Sequence, residues 1–133
     1  MTNPSLTDTY GPVIYAYTRA QALDDGEQID VTTQAAAAGL RYPTFLTRAV
    51  FERQVAFPPD VPGQIMVSRI TAIVWNLSKV LLYIRPGTNR ASFALYIPID
   101  AKSRRLIRLV AVCGPHDIDD PHPAITIMLP DED

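Results

Sequence analysis

The longest run of periodic apolar positions lies in the middle of the chain. Between Gln64 and Tyr83 these positions recur at spacings of three and four, a pattern typical of an amphipathic helix lying on a core. Full burial of each such side chain contributes roughly 1.5–3 kcal/mol, so we expect this helix to be the main packing partner of a sheet. The stripe consists of Ile70, Ile73, Val74, Leu77, Val80, Leu81 and Ile84.

Three segments after this helix have the β-branched and alternating character of strands, over Ser92–Pro98, Leu106–Val112 and Ala124–Leu129. Their short connections favour an antiparallel meander. Pro130 lacks an N–H and should end the last strand. Met128 makes the second face of that strand only half polar, so the strand is either covered on both faces or part of an interface. If it lies at a sheet edge, strand addition could build a homodimer, as could a strand around Tyr15.

The first half of the chain predicts shorter elements. Thr18 and Gln21 have the spacing of a capping box, and Gly26 provides a left-handed stop for the helix that they begin. The proline-rich segment Phe57–Gly63 is the strongest break in the sequence. The remaining predictions are a strand over Pro12–Tyr17, an extended piece at Ile29–Val31, a helix over Gln34–Ala38 capped by Thr32 or Thr33, and a helix capped by Thr44 that runs to about Val55.

Together these elements predict an α+β fold, with a short N-terminal strand and helices and one long amphipathic helix packed on a C-terminal antiparallel sheet of three or more strands. We expect residues 1–9 to be disordered and 10–133 to form a single α+β domain. The 47% hydrophobic and 20% charged residues are typical of globular proteins. A lone cysteine, Cys113, and the absence of a long uninterrupted apolar run predict a cytoplasmic protein without membrane contact.

The net charge of -2 argues against a general nucleic-acid coat, because phosphate binding needs clustered Lys and Arg. One local basic set exists, consisting of Arg104, Arg105 and Arg108. Strand alternation places Arg104 and Arg108 on one face and Arg105 on the other. This set can bind a phosphate or an acidic partner, or it can act as a charged edge that prevents aggregation.

A second candidate contact surface is formed by Tyr15, Tyr17 and Arg19. Aromatic residues beside an arginine are favoured in protein interfaces and can also stack on nucleic-acid bases. The alternative is that one or both tyrosines are core residues whose hydroxyl reaches the surface.

The segment Gly114–Pro123 is predicted to be a turn-rich loop in which a metal site is the third candidate. Imidazoles and carboxylates can ligate a divalent ion, yet their spacing here matches no established ligand motif. The alternative is a solvated hairpin loop whose aspartates form turns. A nucleophile pair of Cys113 and His116 is less favoured, because buried cysteine usually behaves as a small hydrophobe. The candidate ligands are His116, Asp117, Asp119 and His122.

Two stretches also carry a family resemblance. Val13–Gly26, which contains YAYTRAQALDDG, and the ending Ile125–Asp133 (ITIMLPDED) resemble an uncharacterised family of small bacterial, phage and plasmid proteins. The resemblance supplies no activity that could be carried over to this chain. It implies a cytosolic protein often encoded on mobile elements, where small proteins are often accessory or anti-defence factors, including inhibitors of CRISPR or restriction systems.

The leading hypothesis is therefore a non-enzymatic protein-interaction module, an anti-defence inhibitor that binds a host protein complex. Sequence motifs for nucleotide binding, zinc proteases and serine hydrolases are absent, which favours a protein without catalysis or cofactor. The alternatives are a small metal-dependent enzyme using the His116–His122 loop and a nucleic-acid-binding accessory protein using the three arginines.

Overall fold

A computed structural model describes residues 17–132 of the chain. Its centre is a five-stranded mixed sheet in the order β1-β2-β5-β4-β3. The strands are β1 (Gln28–Asp30), β2 (Thr44–Thr47), β3 (Arg90–Pro98), β4 (Arg104–Asp117) and β5 (Asp120–Met128), and the helices are α1 (Arg19–Asp24), α2 (Thr32–Ala37), α3 (Arg48–Val50, continued by a π-helix over Phe51–Val55) and α4 (Gly63–Val80, continued by a 3₁₀ turn over Leu81–Tyr83). The α+β class is confirmed.

The long amphipathic helix packs on the sheet as its periodicity predicts. Buried residues of α4, among them Ile73, Val74 and Leu77, join the inward residues Leu95 and Ile97 of β3 in one hydrophobic core. The segment Gly63–Tyr83 is also long and apolar enough to cross a membrane by length and composition, with a mean hydropathy of 1.5. Core helices of globular proteins meet the same criterion, and the apolar stripe of α4 packs against the sheet.

The three C-terminal strands form the predicted antiparallel meander. Their last connection is much tighter than predicted, because the supposed loop Gly114–Pro123 is mostly strand, with Asp117 paired to Asp120. Pro115 and Pro123 lie opposite each other. Strand alternation turns the imino positions of both prolines away from the partner strand, so neither removes a ladder hydrogen bond. The expectation of a long loop was therefore wrong.

The third predicted helix begins later than expected, because Thr44–Thr47 is strand β2. This strand pairs antiparallel with β1 and parallel with β5. Phe45 and Leu46 are buried on its two faces, which explains why an apolar segment takes the strand form here. The helix starts at Arg48, and its cap is Thr47, whose hydroxyl accepts the N–H of Val50 at 3.3 Å.

The cap of α2 also differs from its prediction. The helix follows Val31 without a side-chain cap, and Thr32 is its first residue. The Thr32 hydroxyl instead accepts the N–H of Thr44 at 3.0 Å and so ties α2 to β2. By contrast, the capping box of Thr18 and Gln21 is confirmed, with both reciprocal hydrogen bonds present.

The last strand does not lie at an edge, which corrects one route to a homodimer. Strand β5 lies between β2 and β4, and among the strands of residues 17–132 those at the edges are β1 and β3. The predicted strand over Pro12–Tyr17 and the residues 1–9 lie outside the described residues, except for Tyr17, which is not part of a strand. The expectations for Tyr15 therefore stay predictions.

A buried arginine joins the helix layer to the sheet. The side chain of Arg69 on α4 is 1% exposed. Its guanidinium donates to the carbonyl of Pro98 at 2.7 Å, of Val55 at 2.9 Å and of Phe57 at 2.7 Å. Burial lowers the pKa of Arg69, and the nearby charge of Arg105 lowers it further.

Candidate interaction site

The predicted contact residue Arg19 is half-buried and is held by several internal contacts. Its guanidinium lies 4.2 Å from the centre of the Phe45 ring and donates to Gln28 at 2.7 Å and to Thr126 at 3.1 Å. It also donates to the backbone carbonyl of His116. These contacts lock the start of α1 onto the outer face of the sheet, so little of this arginine is left for a partner. We call this group the Arg19 corner, consisting of Arg19, Phe45, His116, Asp117 and Thr126.

Asp117 completes the Arg19 corner instead of forming a metal site. Its carboxylate accepts the backbone N–H groups of Arg19 and Ala20, each at 3.0 Å, and that of Ile118 at 2.8 Å. The hydrogen bond from Ile118 is the largest cause of the lowered pKa of Asp117, followed by the bond from Arg19. Ionised Asp117 therefore fastens the β4–β5 hairpin to the first turn of α1.

Tyr17 is exposed next to this corner. Its hydroxyl donates to Asp25 at 2.7 Å, and this hydrogen bond is the main reason that the pKa of Tyr17 is raised to about 12. Tyr17 and Arg19 are thus close in sequence but differ in accessibility. Both residues line one surface depression of about 220 Å³, and their use as a contact surface stays a prediction.

The histidines of the predicted metal site are brought together by Asp120, which was not among the predicted ligands. The Nδ1 of His122 lies 2.7 Å from the carboxylate of Asp120, and the Nδ1 of His116 lies 3.3 Å from it. The hydrogen bond with His122 is the first cause of the lowered pKa of Asp120. Within residues 17–132, no three His, Cys, Asp or Glu side chains have the geometry of a metal site. Asp119 is exposed at the hairpin tip.

Cys113 and His116 are also separated by the sheet. Cys113 lines a small cavity of about 220 Å³ on the helix side, together with Leu81 and Ile84. His116 packs against the outer face, where its ring centre is 5.6 Å from that of Phe45. The two side chains therefore do not form a nucleophile and base pair.

A cleft of about 560 Å³ lies near α1 and α3 and contains charges of both signs. Arg48 pairs with Glu52 at 2.9 Å and with Glu27 at 3.4 Å. These contacts raise the pKa of Arg48, chiefly through Glu52. Glu132 accepts the Thr47 hydroxyl at 2.7 Å. Arg53 also lines this cleft, so its charges of both signs are only partly paired with each other.

The outer face of the β3–β4 ribbon carries apolar and basic groups together. Tyr96 and Leu106 are direct cross-strand partners and are 60% and 45% exposed. Arg104 and Arg108 lie on the same face of β4 and are exposed, whereas Arg105 points to the helix side, as alternation predicts. We call Tyr96, Leu106, Arg104 and Arg108 the Tyr96 face.

A groove of about 450 Å³ runs along β4 next to this face. Two arginines, Arg53 and Arg108, line it without an ion pair to any residue from 17 to 132, and no acidic residue lines it. A third, Arg105, donates to Gln54 at 3.0 Å, while its Nε is buried with no acceptor among the described residues. We call this the arginine groove, lined by Arg53, Gln54, Phe57, Arg105, Leu106, Ile107 and Arg108.

Sequence reasoning identified half of this site. Alternation along β4 placed Arg104 and Arg108 correctly, but Tyr96, Arg53 and Phe57 were not singled out. Tyr96 carried a detectable signal, because it is the one large aromatic at a polar position of the β3 alternation. Arg53 and Phe57 reach the groove only through tertiary packing, and their local sequence contains no sign of it. In comparisons with protein-family models, curated proteins and solved structures, no match to this chain was found.

Proposed function

We propose that this chain is a non-enzymatic protein-interaction module that binds an acidic surface of a partner through the Tyr96 face. The observation that carries the proposal is the exposed Tyr96–Leu106 pair with Arg104 and Arg108 on the same face. Tyrosine and arginine are enriched where interfaces gain most of their binding energy. The outward positions of this ribbon between Ser92 and Pro98 and between Arg104 and Val110 include no acidic residue.

The task of the module is proposed from the family resemblance alone. An accessory or anti-defence protein of a mobile element acts by occupying a host complex, so the expected partner is a protein in the cytoplasm. A basic and aromatic face suits such a partner where the host complex presents carboxylates. Catalysis is not needed for this role, and the His116–Asp120–His122 cluster takes no part in it.

A pull-down from host lysate followed by binding measurements with the purified partner tests the proposal. The wild-type chain should retain one stoichiometric partner, and the Tyr96→Ser, Leu106→Ser double variant should lose it. We expect the affinity to fall by at least about tenfold, because a buried aromatic anchor is worth roughly 2 kcal/mol or more. The affinity should also fall as salt is raised, since exposed charges contribute.

The matched control is Tyr83→Ser, which removes an even more exposed tyrosine at the end of the 3₁₀ turn. It should bind as the wild type does. If the double variant retains the partner as well as the control does, the Tyr96 face is not the contact surface. If the wild type binds DNA or RNA with a strong salt dependence and no protein, the nucleic-acid alternative replaces this proposal.

A further inference from the structure

One side of β4 has no neighbouring strand over its first half. Strand β3 pairs with β4 continuously from Arg104 to Val112. Strand β5 pairs only from Val110 onward, because it ends at Met128 and Pro130 follows. In the described part of the chain, Arg104–Leu109 thus has a sheet partner on one side and none on the other. We call this stretch the open edge of β4.

The backbone groups that face the open edge can be assigned from the register. Cys113 donates its N–H to the carbonyl of Asn89 at 2.8 Å, on the β3 side. The β3–β4 register has no shift, so alternation directs the N–H and C=O of Ile107 and Leu109 to β3 as well. The backbone groups of Leu106 and Arg108 therefore point toward the open edge. No described residue pairs with them there.

The arginine groove lies along this same edge. Four consecutive residues of β4, 105–108, line it, although their side chains point alternately to the two faces of the sheet. A groove lined by residues that point to both faces of the sheet must run along the side of the strand. Its opposite wall consists of Arg53, Gln54 and the half-exposed ring of Phe57.

The charges of the groove identify the kind of occupant. Arg53, Arg105 and Arg108 line it without a carboxylate, and Arg105 retains a buried Nε–H with no acceptor among residues 17–132. Arg69 behind the groove adds a further positive charge near Arg105. An anion placed here would meet unused donors and offset the repulsion between guanidinium groups.

We propose that the open edge of β4 accepts an extended acidic segment of a partner protein, which adds to the sheet as a strand in line with β5. The segment would pair with the backbone groups of Leu106 and Arg108, and its alternate acidic side chains would all lie on one face, where they would contact Arg53 and Arg105. Strand addition gives affinity through backbone hydrogen bonds and specificity through the side-chain contacts. This inference rests on the proposed function, because it names the form in which the partner binds.

Amide hydrogen exchange followed by NMR directly tests the proposed pairing with the backbone groups of Leu106 and Arg108. The probe is the peptide acetyl-Glu-Val-Glu-Val-Glu-amide, titrated into the intact chain. In the free chain, the N–H groups of Leu106 and Arg108 should exchange quickly, while those of Ile107 and Leu109 are protected by β3. With saturating peptide, exchange at Leu106 and Arg108 should slow by at least about tenfold.

Two comparisons test whether acidic side chains of the bound segment contact the groove arginines. The peptide acetyl-Lys-Val-Lys-Val-Lys-amide should bind at least about tenfold more weakly than the acidic peptide, since it offers no carboxylate to the guanidinium donors and places like charges beside them. The Arg105→Gln variant should weaken the acidic peptide by a similar factor. The matched control is Arg41→Gln, which removes an exposed arginine outside the groove and should leave binding unchanged.

Three results would overturn the inference. The first is acidic-peptide binding without protection of Leu106 and Arg108. The second is a self-associated chain in which these two N–H groups are already protected, because the occupant is then a second copy. The third is equal binding of single-stranded DNA and the acidic peptide. If the lysate partner binds and is lost in the Tyr96→Ser, Leu106→Ser variant while both N–H groups stay unprotected in that complex, the proposed function stands and strand addition fails.

Discussion

The Arg19 corner and the arginine groove both present guanidinium groups to the sheet, but they differ in how those groups are matched. In the corner, Arg19 has a ring beneath it and acceptors around it, and the carboxylate of Asp117 lies nearby. In the groove, Arg105 has one side-chain acceptor, while Arg53 and Arg108 have none among the described residues. The difference separates arginines that hold the fold together from arginines that remain free to bind.

The same two regions differ in exposure for a physical reason. A guanidinium that loses water must regain its hydrogen bonds within the protein, and burial accordingly lowers the pKa of Arg19 despite the opposing charge of Asp117. The exposed groove arginines, Arg53 and Arg108, keep water instead. A partner that displaces this water must supply acceptors, which favours carboxylates over apolar groups.

The largest effect is expected at Arg69, the buried arginine behind the groove, which donates to three backbone carbonyls. Arg69→Ala leaves the carbonyls of Val55, Phe57 and Pro98 without their donor and opens a cavity. We expect the free energy of unfolding to fall by about 3 kcal/mol, measured by urea denaturation. This loss is the reference value against which the loss at each other arginine can be compared.

The control for this variant is Ser68→Ala, which changes the exposed neighbour on α4 and should leave stability nearly unchanged. A loss below about 1 kcal/mol in Arg69→Ala would mean that water replaces the guanidinium at these carbonyls. In that case an arginine with internal hydrogen bonds would contribute no more to the free energy of unfolding than an arginine without them.

The second effect is expected in the Arg19 corner. Arg19→Gln removes the stacking on Phe45 and the guanidinium donors to the carbonyl of His116 and to Thr126. The expected loss is about 2 kcal/mol of unfolding free energy, combining a partly buried cation–π contact with charged hydrogen bonds. Chemical denaturation at neutral pH measures it.

An Arg19→Lys variant keeps the charge but not the planar fork, so it should recover less than half of the loss. The matched control is Arg41→Gln, which removes an exposed arginine elsewhere. Equal stability of the Arg19→Gln and Arg41→Gln variants would contradict the structural role of the corner.

The elements that were predicted correctly are those whose pattern is local. The stripe of α4 and the alternation of β3 and β4 repeat within a few residues, and so they indicate both the element and its inward face. The segment Thr44–Thr47 was predicted as helix because its strand form depends on parallel pairing with β5, far along the chain. No local pattern contains that information.

In the candidate site too, the features set by a local pattern could be predicted and those set by tertiary packing could not. Alternation placed Arg104 and Arg108 on one face, but it contained nothing about whether an arginine would be bonded internally. Arg19 and Arg108 look alike in sequence, and only packing against Phe45 and Thr126 makes Arg19 structural. Gln54 likewise meets Arg105 through a contact between residues that are distant in sequence.

The third prediction concerns the pH dependence of the corner. Because the folded-state pKa of Asp117 lies below its ordinary value of about 3.9, its ionised form stabilises the fold. That contribution is present above pH about 3.9 and is lost as the pH falls through the folded pKa. Asp117→Asn should therefore be less stable than the wild type at pH 7, and the difference should shrink on acidification.

Thermal unfolding of both chains from pH 7 down to pH 3 measures this difference. Asp119→Asn is the matched control, since Asp119 is exposed at the hairpin tip, and its difference from the wild type should stay small throughout. A difference between Asp117→Asn and the wild type that is constant over this range would show that the charge of Asp117 does not hold the corner.

The smallest effect on stability is expected in the arginine groove. It gives the most direct comparison between a groove arginine and Arg19. Arg108→Gln makes the same chemical change as Arg19→Gln, but Arg108 is exposed and has no ion pair within the described part of the chain. Stability should therefore stay within about 0.5 kcal/mol of the wild type in the same denaturation experiment. A small gain would also be consistent, because the change removes one of several neighbouring positive charges. A loss comparable to that of Arg19→Gln would place Arg108 among the structural arginines, and the groove would then have no unused cation to offer a partner.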